Sequence, residues 1–218
     1  MVNARIVAGL ASATLCLGLG VLVGRASAGS ARPEVGSGPG PDRTEGGVPL
    51  GFKRSQEGAV AAASAFSRVV DAAVFATPAE RKKALTAMTT EEARQDVIDT
   101  TEKIARVVAK GYGLPQSTRK VVARGALLGY RVVAYTGDAA QVELWAVGIA
   151  GRAGGPNPKG GWGTSTVDLR WVRGDWRLAG VIEAKDGPTP EATGRPTPAA
   201  QFVTEASSFT EVGVRAAS

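Results

Sequence analysis

Histidine is absent from this chain, and cysteine occurs once, as Cys16. Together these absences exclude Ser-His-Asp and Cys-His catalysis, imidazole acid–base chemistry and any Cys/His zinc site. They also exclude an intramolecular disulfide, so a domain held outside the cytoplasm must cohere by packing alone. Dense charge of one sign is lacking too. The formal balance is +6, and without Arg5 and Arg25 it is 24 basic against 20 acidic residues, or +4. The tail from Asp186 onward carries two arginines against four acids, so the mild surplus lies in the middle of the chain. A nucleic-acid surface wants a denser basic patch, and none is expected as a partner. Anionic lipid or a cell-wall polymer explains the surplus at least as well.

Long apolar runs are also scarce, with one exception. From Ile6 to Gly24 no residue is charged, and Arg5 and Arg25 close the stretch. As a helix it spans about 28 Å, close to the thickness of a bilayer's hydrocarbon core. Two readings compete. The length favours a retained single-pass anchor over residues 5–25, with residues 1–4 as a short cytoplasmic end. Ala26, Ser27 and Ala28 instead offer a small-x-small signal-peptide site, with cleavage before Gly29. Either way the rest of the chain is expected outside the cytoplasm, in a membrane-held or secreted form. Leu15 before Cys16 argues against a lipoprotein signal.

Residues 26–48 read as a disordered linker. Pro33, Gly36, Gly38, Pro39, Gly40, Pro41, Gly46 and Gly47 punctuate it, and few apolar side chains offset its chain entropy. Ordered structure is expected over 49–185. Ser55 can cap a helix running to about Phe75, with Glu57 in its first turn. Thr77-Pro78-Ala79-Glu80 is a helix start with an N-cap, proline at the first position and a capping glutamate. A third helix starts from Thr89-Thr90-Glu91-Glu92, with Val97, Thr101, Ile104 and Val108 on one stripe, and stops at Gly111 and Gly113. The period then changes. Lys120 to Tyr135 reads as a long strand or strand pair bent at Gly125 and Gly129. Gln141 to Ile149 alternates, with Val142, Leu144, Ala146 and Gly148 on one face and Glu143, Trp145, Val147 and Ile149 on the other. Residues 151–163 read as a glycine-rich loop, Thr166 to Val172 as a strand, and Arg173-Gly174-Asp175 as a tight turn into Trp176 to Ala184. Residues 186–218 form a Pro-rich tail in which Phe202, Ala206 and Phe209 have helical spacing. That tail is either a short docked helix or a disordered terminus.

No catalytic constellation emerges. Gly154 to Gly163 lacks the phosphate-loop spacing, because Gly160 follows Lys159. Trp145, Trp171 and Trp176 are expected to pack in the core or between sheets. Glu143 and Asp168 are strand carboxylates without a recognisable partner. An enzymatic reading would need two groups facing each other in a cavity, for instance Asp168 with Tyr130. No catalytic residue, cofactor or metal site is assigned. Trp162, Phe202 and Phe209 are the candidate partner contacts.

Three stretches carry a resemblance: Leu128-Gly129-Tyr130-Arg131-Val132-Val133-Ala134-Tyr135, then Val142-Glu143-Leu144-Trp145-Ala146-Val147-Gly148, then Thr166 to Leu178 with its Trp171-Val172-Arg173-Gly174-Asp175-Trp176. With Gly47-Val48-Pro49-Leu50-Gly51-Phe52, they resemble the single-span membrane proteins of actinobacterial conjugative elements. Those resemble TcpC-type subunits of type IV secretion systems. The resemblance covers roughly residues 47–185. It implies an α+β class: a transmembrane helix, then helices packed on a curved antiparallel sheet, the nuclear-transport-factor-like cone. It also implies a non-catalytic, membrane-anchored assembly or scaffold subunit of a conjugation apparatus, with other protein subunits, or the chain itself, as partners. One departure is that only about four residues precede the span. The alternative is a secreted or anchored binding module for cell-wall polymer or a small ligand.

Overall fold

A computed structural model describes residues 38–112, 121–152, 159–190 and 198–209. The expected span over 5–25 and the cleavage site before Gly29 lie outside the described residues.

The first element of the described residues is a small hairpin, β1 (Arg43–Glu45) and β2 (Val48–Leu50). It begins inside the stretch read as linker, because Val48 and Leu50 are buried and fix β2 to the core. Helix α1 (Gln56–Phe75) follows, capped by Ser55, whose Oγ accepts from the Gly58 amide at 3.1 Å. Its core side is lined by Ala59, Ala62, Ala63, Phe66, Val70 and Ala73, whose small side chains let the helix lie close to the sheet. By length and composition α1 is the one described helix able to cross a membrane, yet most of its apolar stretch is buried inside the fold.

Helix α2 (Pro78–Met88) carries the full capping box: Thr77 Oγ1 accepts from the Glu80 amide, and Glu80 accepts from the Thr77 amide. Buried Arg81 reaches back and donates to the carbonyls of Ala73 and Ala76, at the exposed end of α1's hydrogen-bond ladder. Helix α3 (Arg94–Gly111) buries Val97, Ile98, Thr101, Ala105 and Val108. The three helices pack on one face of an antiparallel sheet.

That sheet holds β3 (Val121–Tyr135), β4 (Ala139–Arg152), β5 (Lys159–Val172), β6 (Asp175–Leu178) and β7 (Glu183–Asp186). The order is β3-β4-β5-β6, and β7 also pairs β5. β4 fills one side of β5. β6 lies beside Leu169–Val172 and β7 beside Gly163–Thr166 on the other.

The cone is not what forms. The sheet is open and neither closed nor strongly curved. β4 and β5 pair without interruption from Ala139↔Arg170 to Ala150↔Lys159. Only two register shifts occur in β3–β4, between Leu127 and Gly129 and between Val132 and Ala134. A sheet closes only when its edges meet or bulges accumulate. Here β3 ends the sheet unpaired on one side among the described residues.

The stretch read as a loop over 151–163 is mostly strand. Gly160 and Gly161 join the ladder opposite Ile149 and Gly148. Residues 153–158 lie outside the described residues.

Candidate functional face of the sheet

The alternation of β4 divides the sheet into two unlike faces. Val142, Leu144 and Ala146 point to the helices and are buried with Val167 and Leu169 of β5. Glu143, Trp145, Val147 and Ile149 point the other way, where no helix of the α1–α3 layer lies. Register places Arg131, Glu143 and Thr166 in one row on this outer face. Gly129, Trp145 and Thr164 form the next row, and Ala126, Val147 and Trp162 the one after. Arg124, Ile149 and Gly160 form the last.

Two rows are covered by the C-terminal part of the chain. After β7, residues 187–189 turn onto the face and are buried. The Gly187 amide donates to the Trp162 carbonyl at 2.9 Å, and Thr164 Oγ1 donates to the Gly187 carbonyl at 2.8 Å. Trp145 Nε1 donates to the Pro188 carbonyl at 3.0 Å. Helix α4 (Ala199–Ala206) then brings Ser208 and Phe209 onto the sheet. Arg131 donates to Ser208 Oγ at 2.6 Å, and its guanidinium lies 4.8 Å from the Phe209 ring centroid. The Phe209 ring packs against Trp145 at 6.0 Å.

Glu143 anchors this corner. Burial raises its pKa, but ion pairs with Arg131 and Lys185 outweigh that and hold the carboxyl below its ordinary value. Both strand carboxylates thus have partners that local sequence did not reveal, since Asp168 accepts from Gln141 Nε2 at 2.9 Å.

The other two rows are open. Ala126, Val147, Ile149 and Trp162, with Gly125, Gly148, Gly160 and Gly161 between them, line a groove of about 550 Å³ with Arg124 at its rim. The lining is almost wholly apolar, and Ile149 remains 51% exposed. Gly160, in the row of Ile149, leaves its place on this face without a side chain, while Gly125, Gly148 and Gly161 lie in the row between and contribute backbone.

Of the candidate contacts, Trp162 lines the groove from β5, and Phe209 packs one row away on Trp145. Phe202 lies on α4, apart from both in sequence position. Trp145, expected in the core or between sheets, instead stands on the outer face and carries the tail. Trp171 and Trp176 do pack inward, edge to face at 5.4 Å, and Trp176 is fully buried. Tyr130 and Asp168, the pair given as an instance for an enzymatic cavity, stand on opposite faces of the sheet and do not face each other. Among the described residues no group of three or more acidic side chains gathers where a metal ion could be held.

A buried carboxylate elsewhere has a structural task. Asp175 accepts from the Gly51 amide at 2.8 Å and the Phe52 amide at 3.2 Å, and pairs with Arg43 at 2.8 Å and Arg177 at 2.9 Å. It ties the N-terminal hairpin to β6. Gly51 has φ +80, and a Cβ there would fall 1.5 Å from Asp42 Oδ1, so only glycine presents this amide.

The profile of a family described as a domain of unknown function (DUF8175) matches residues 26–201. Comparison with curated proteins finds no match. Among solved structures, the intermembrane space region of the chloroplast protein ARC6 is similar in part. It is 14% identical, with a TM-score of 0.32, over 52% of this chain and 84% of that one. A likeness this slight specifies neither fold nor role. The expected kinship with TcpC-type subunits of type IV secretion systems, and with it conjugation, is not supported: it rested on a cone, and the sheet is open.

Proposed function

This chain belongs to the DUF8175 family, and we propose that it is a non-catalytic interaction module, held at the outer surface of the cell membrane by its apolar N-terminal segment. The observation that carries the reading is the outer face of the sheet. One side of the sheet is sealed by three helices. The other presents a contiguous apolar groove flanked by Trp162 and bordered by a docked aromatic, Phe209. Exposed contiguous apolar surface of this kind marks binding surfaces on soluble domains. The partner is a protein that offers apolar side chains to the groove, either another subunit or a second copy of this chain.

The anchored topology is tested by intact mass and fractionation. Full-length mass in the membrane fraction supports a retained anchor, and a soluble species beginning at Gly29 replaces it with secretion. The interaction role is tested by native-size analysis of gently solubilised protein carrying Ile149→Asp. The expected result is loss of the larger species at unchanged thermal stability. An unchanged size distribution refutes the outer face as the contact surface.

A further inference from the structure

We propose that the partner joins the sheet as an extended acidic segment laid along the open edge of β3, beside the groove. This rests on the reading of the outer face as an interaction surface and names the form of partner it takes.

β3 is the long edge of the sheet, and among the described residues no strand lies on its outer side. An edge strand presents every second amide and carbonyl to whatever approaches, and proteins usually blunt such edges with bulges, proline or lysine. The second half of β3 has this protection, in its register shifts at Leu127/Gly129 and Val132/Ala134. The first half does not. From Val121↔Arg152 to Leu127↔Ala146 its pairing with β4 is regular, and the stretch holds neither proline nor lysine. Arg124, Gly125 and Ala126 are exposed there. The opposite side of the groove differs. The Trp162 carbonyl on β5 already accepts from the Gly187 amide, and an exposed lysine, Lys159, starts that strand.

The groove opens toward the same edge. In the row of Trp162, Val147 and Ala126 the side chains fall in size from β5 to β3. The indole therefore walls the groove on one side, and Ala126 leaves it low on the other. A strand added beside Ala126 supplies the missing wall through a large apolar side chain, while its backbone pairs with the edge. Charge selects the occupant. β3 carries Arg124 and Arg131 and no acidic residue. Arg124 is set at the edge by its own hydrogen bond to the Ala123 carbonyl at 2.8 Å. Pairing β3 with a second copy of itself would gather the arginines of both chains along one seam, whereas an acid opposite Arg124 is favourable. Residues that face Arg124 and Ala126 across a strand pair are two apart in their own chain. The matching segment thus reads acid, any residue, large apolar, in one direction or the other.

The test uses the full chain in native membranes, with a photocrosslinking residue at position 149. Proline is tolerated at an edge where the amide points away from the sheet. Of Gly125→Pro and Ala126→Pro, the one that keeps the parent's melting temperature is read. Arg124→Glu tests the charge without altering the backbone, and decides alone where neither proline variant keeps that temperature. The expected result is a protein adduct from position 149 whose yield falls roughly tenfold in the proline variant and in Arg124→Glu. That is the change that about 1.4 kcal/mol of binding free energy gives. Arg170→Glu, exposed on β5 outside the groove, should leave the yield unchanged. An adduct that persists in either edge variant overturns the added acidic strand. An adduct of twice the chain's own mass also overturns it, because the edge then belongs to a second copy. The interaction reading fails by a different result, no adduct from position 149 in the parent chain.

Discussion

The ring of Phe209 lies 6.0 Å from the ring of Trp145, although the two residues belong to a C-terminal tail and to the centre of the sheet. The tail is thus part of the folded surface and sits at the edge of the groove proposed to bind partners. Replacing Phe209 by Ala removes the aromatic pair and the Arg131 contact together. Aromatic pairs contribute about 0.5–1.5 kcal/mol, enough to hold a short helix but not a domain. Limited proteolysis should therefore cut between Pro188 and Ser208 several times faster in Phe209→Ala, while the melting temperature of the domain stays near that of the parent. Equal cleavage would show that the tail is held by other contacts.

Glu143 sets the acid limit of that docking. Its folded pKa is below the ordinary value, so its contribution is present above the unfolded pKa and is lost as pH falls through the folded one. Protonation frees Arg131 from its ion pair and loosens the platform under Ser208 and Phe209. Protection of the tail's amides, taken relative to their intrinsic exchange at each pH, should fall as pH drops below the ordinary carboxylate range. Glu143→Gln should show the lowered protection already at pH 7, and a variant that exchanges like the parent there would contradict this role.

Asp71, on α1, behaves in the opposite sense. Burial pushes its carboxyl well above the ordinary range. A raised carboxylate costs no stability below the unfolded pKa, and the cost grows as pH rises from there toward the folded value. Asp71→Asn should raise the melting temperature at pH 7, with the gain shrinking toward zero near pH 4. A lower melting temperature at pH 7 would mean that the charged form has a compensating partner.

Asp175 has the largest predicted stability effect. Asp175→Ala strands the amides of Gly51 and Phe52 and removes the anion from Arg177, all close to the fully buried Trp176. Losing one member of a buried charged network costs about 3–5 kcal/mol. Urea denaturation should show a loss of this size, and a loss under about 1 kcal/mol would make the network dispensable.

Some of this was legible before the structure and some was not, for physical reasons. The helix start at Thr77–Glu80 is a local code, since all its hydrogen bonds close within four residues. The alternation of Val142 and Leu144 against Glu143 and Trp145 likewise marks two faces directly. Asp175 gave no signal, because the amides and arginine it binds in the N-terminal hairpin lie more than 120 residues away. Trp162 was read into a loop because glycines usually break strands. Here Gly160 and Gly161 are held by an unbroken ladder to β4. Curvature is the larger difference: an open sheet and a cone share the same alternation, and edge pairing and bulges separate them.

The central claim is that the outer face of the sheet meets a protein partner through the Trp162 groove. The most direct measurement places a photocrosslinking residue at Ile149 in native membranes, with Arg170 on β5 as the reference position. The account predicts a discrete protein adduct from position 149, lost with Trp162→Ala, and none from position 170. Absence of any adduct at 149, or the same adducts from both positions, would contradict it.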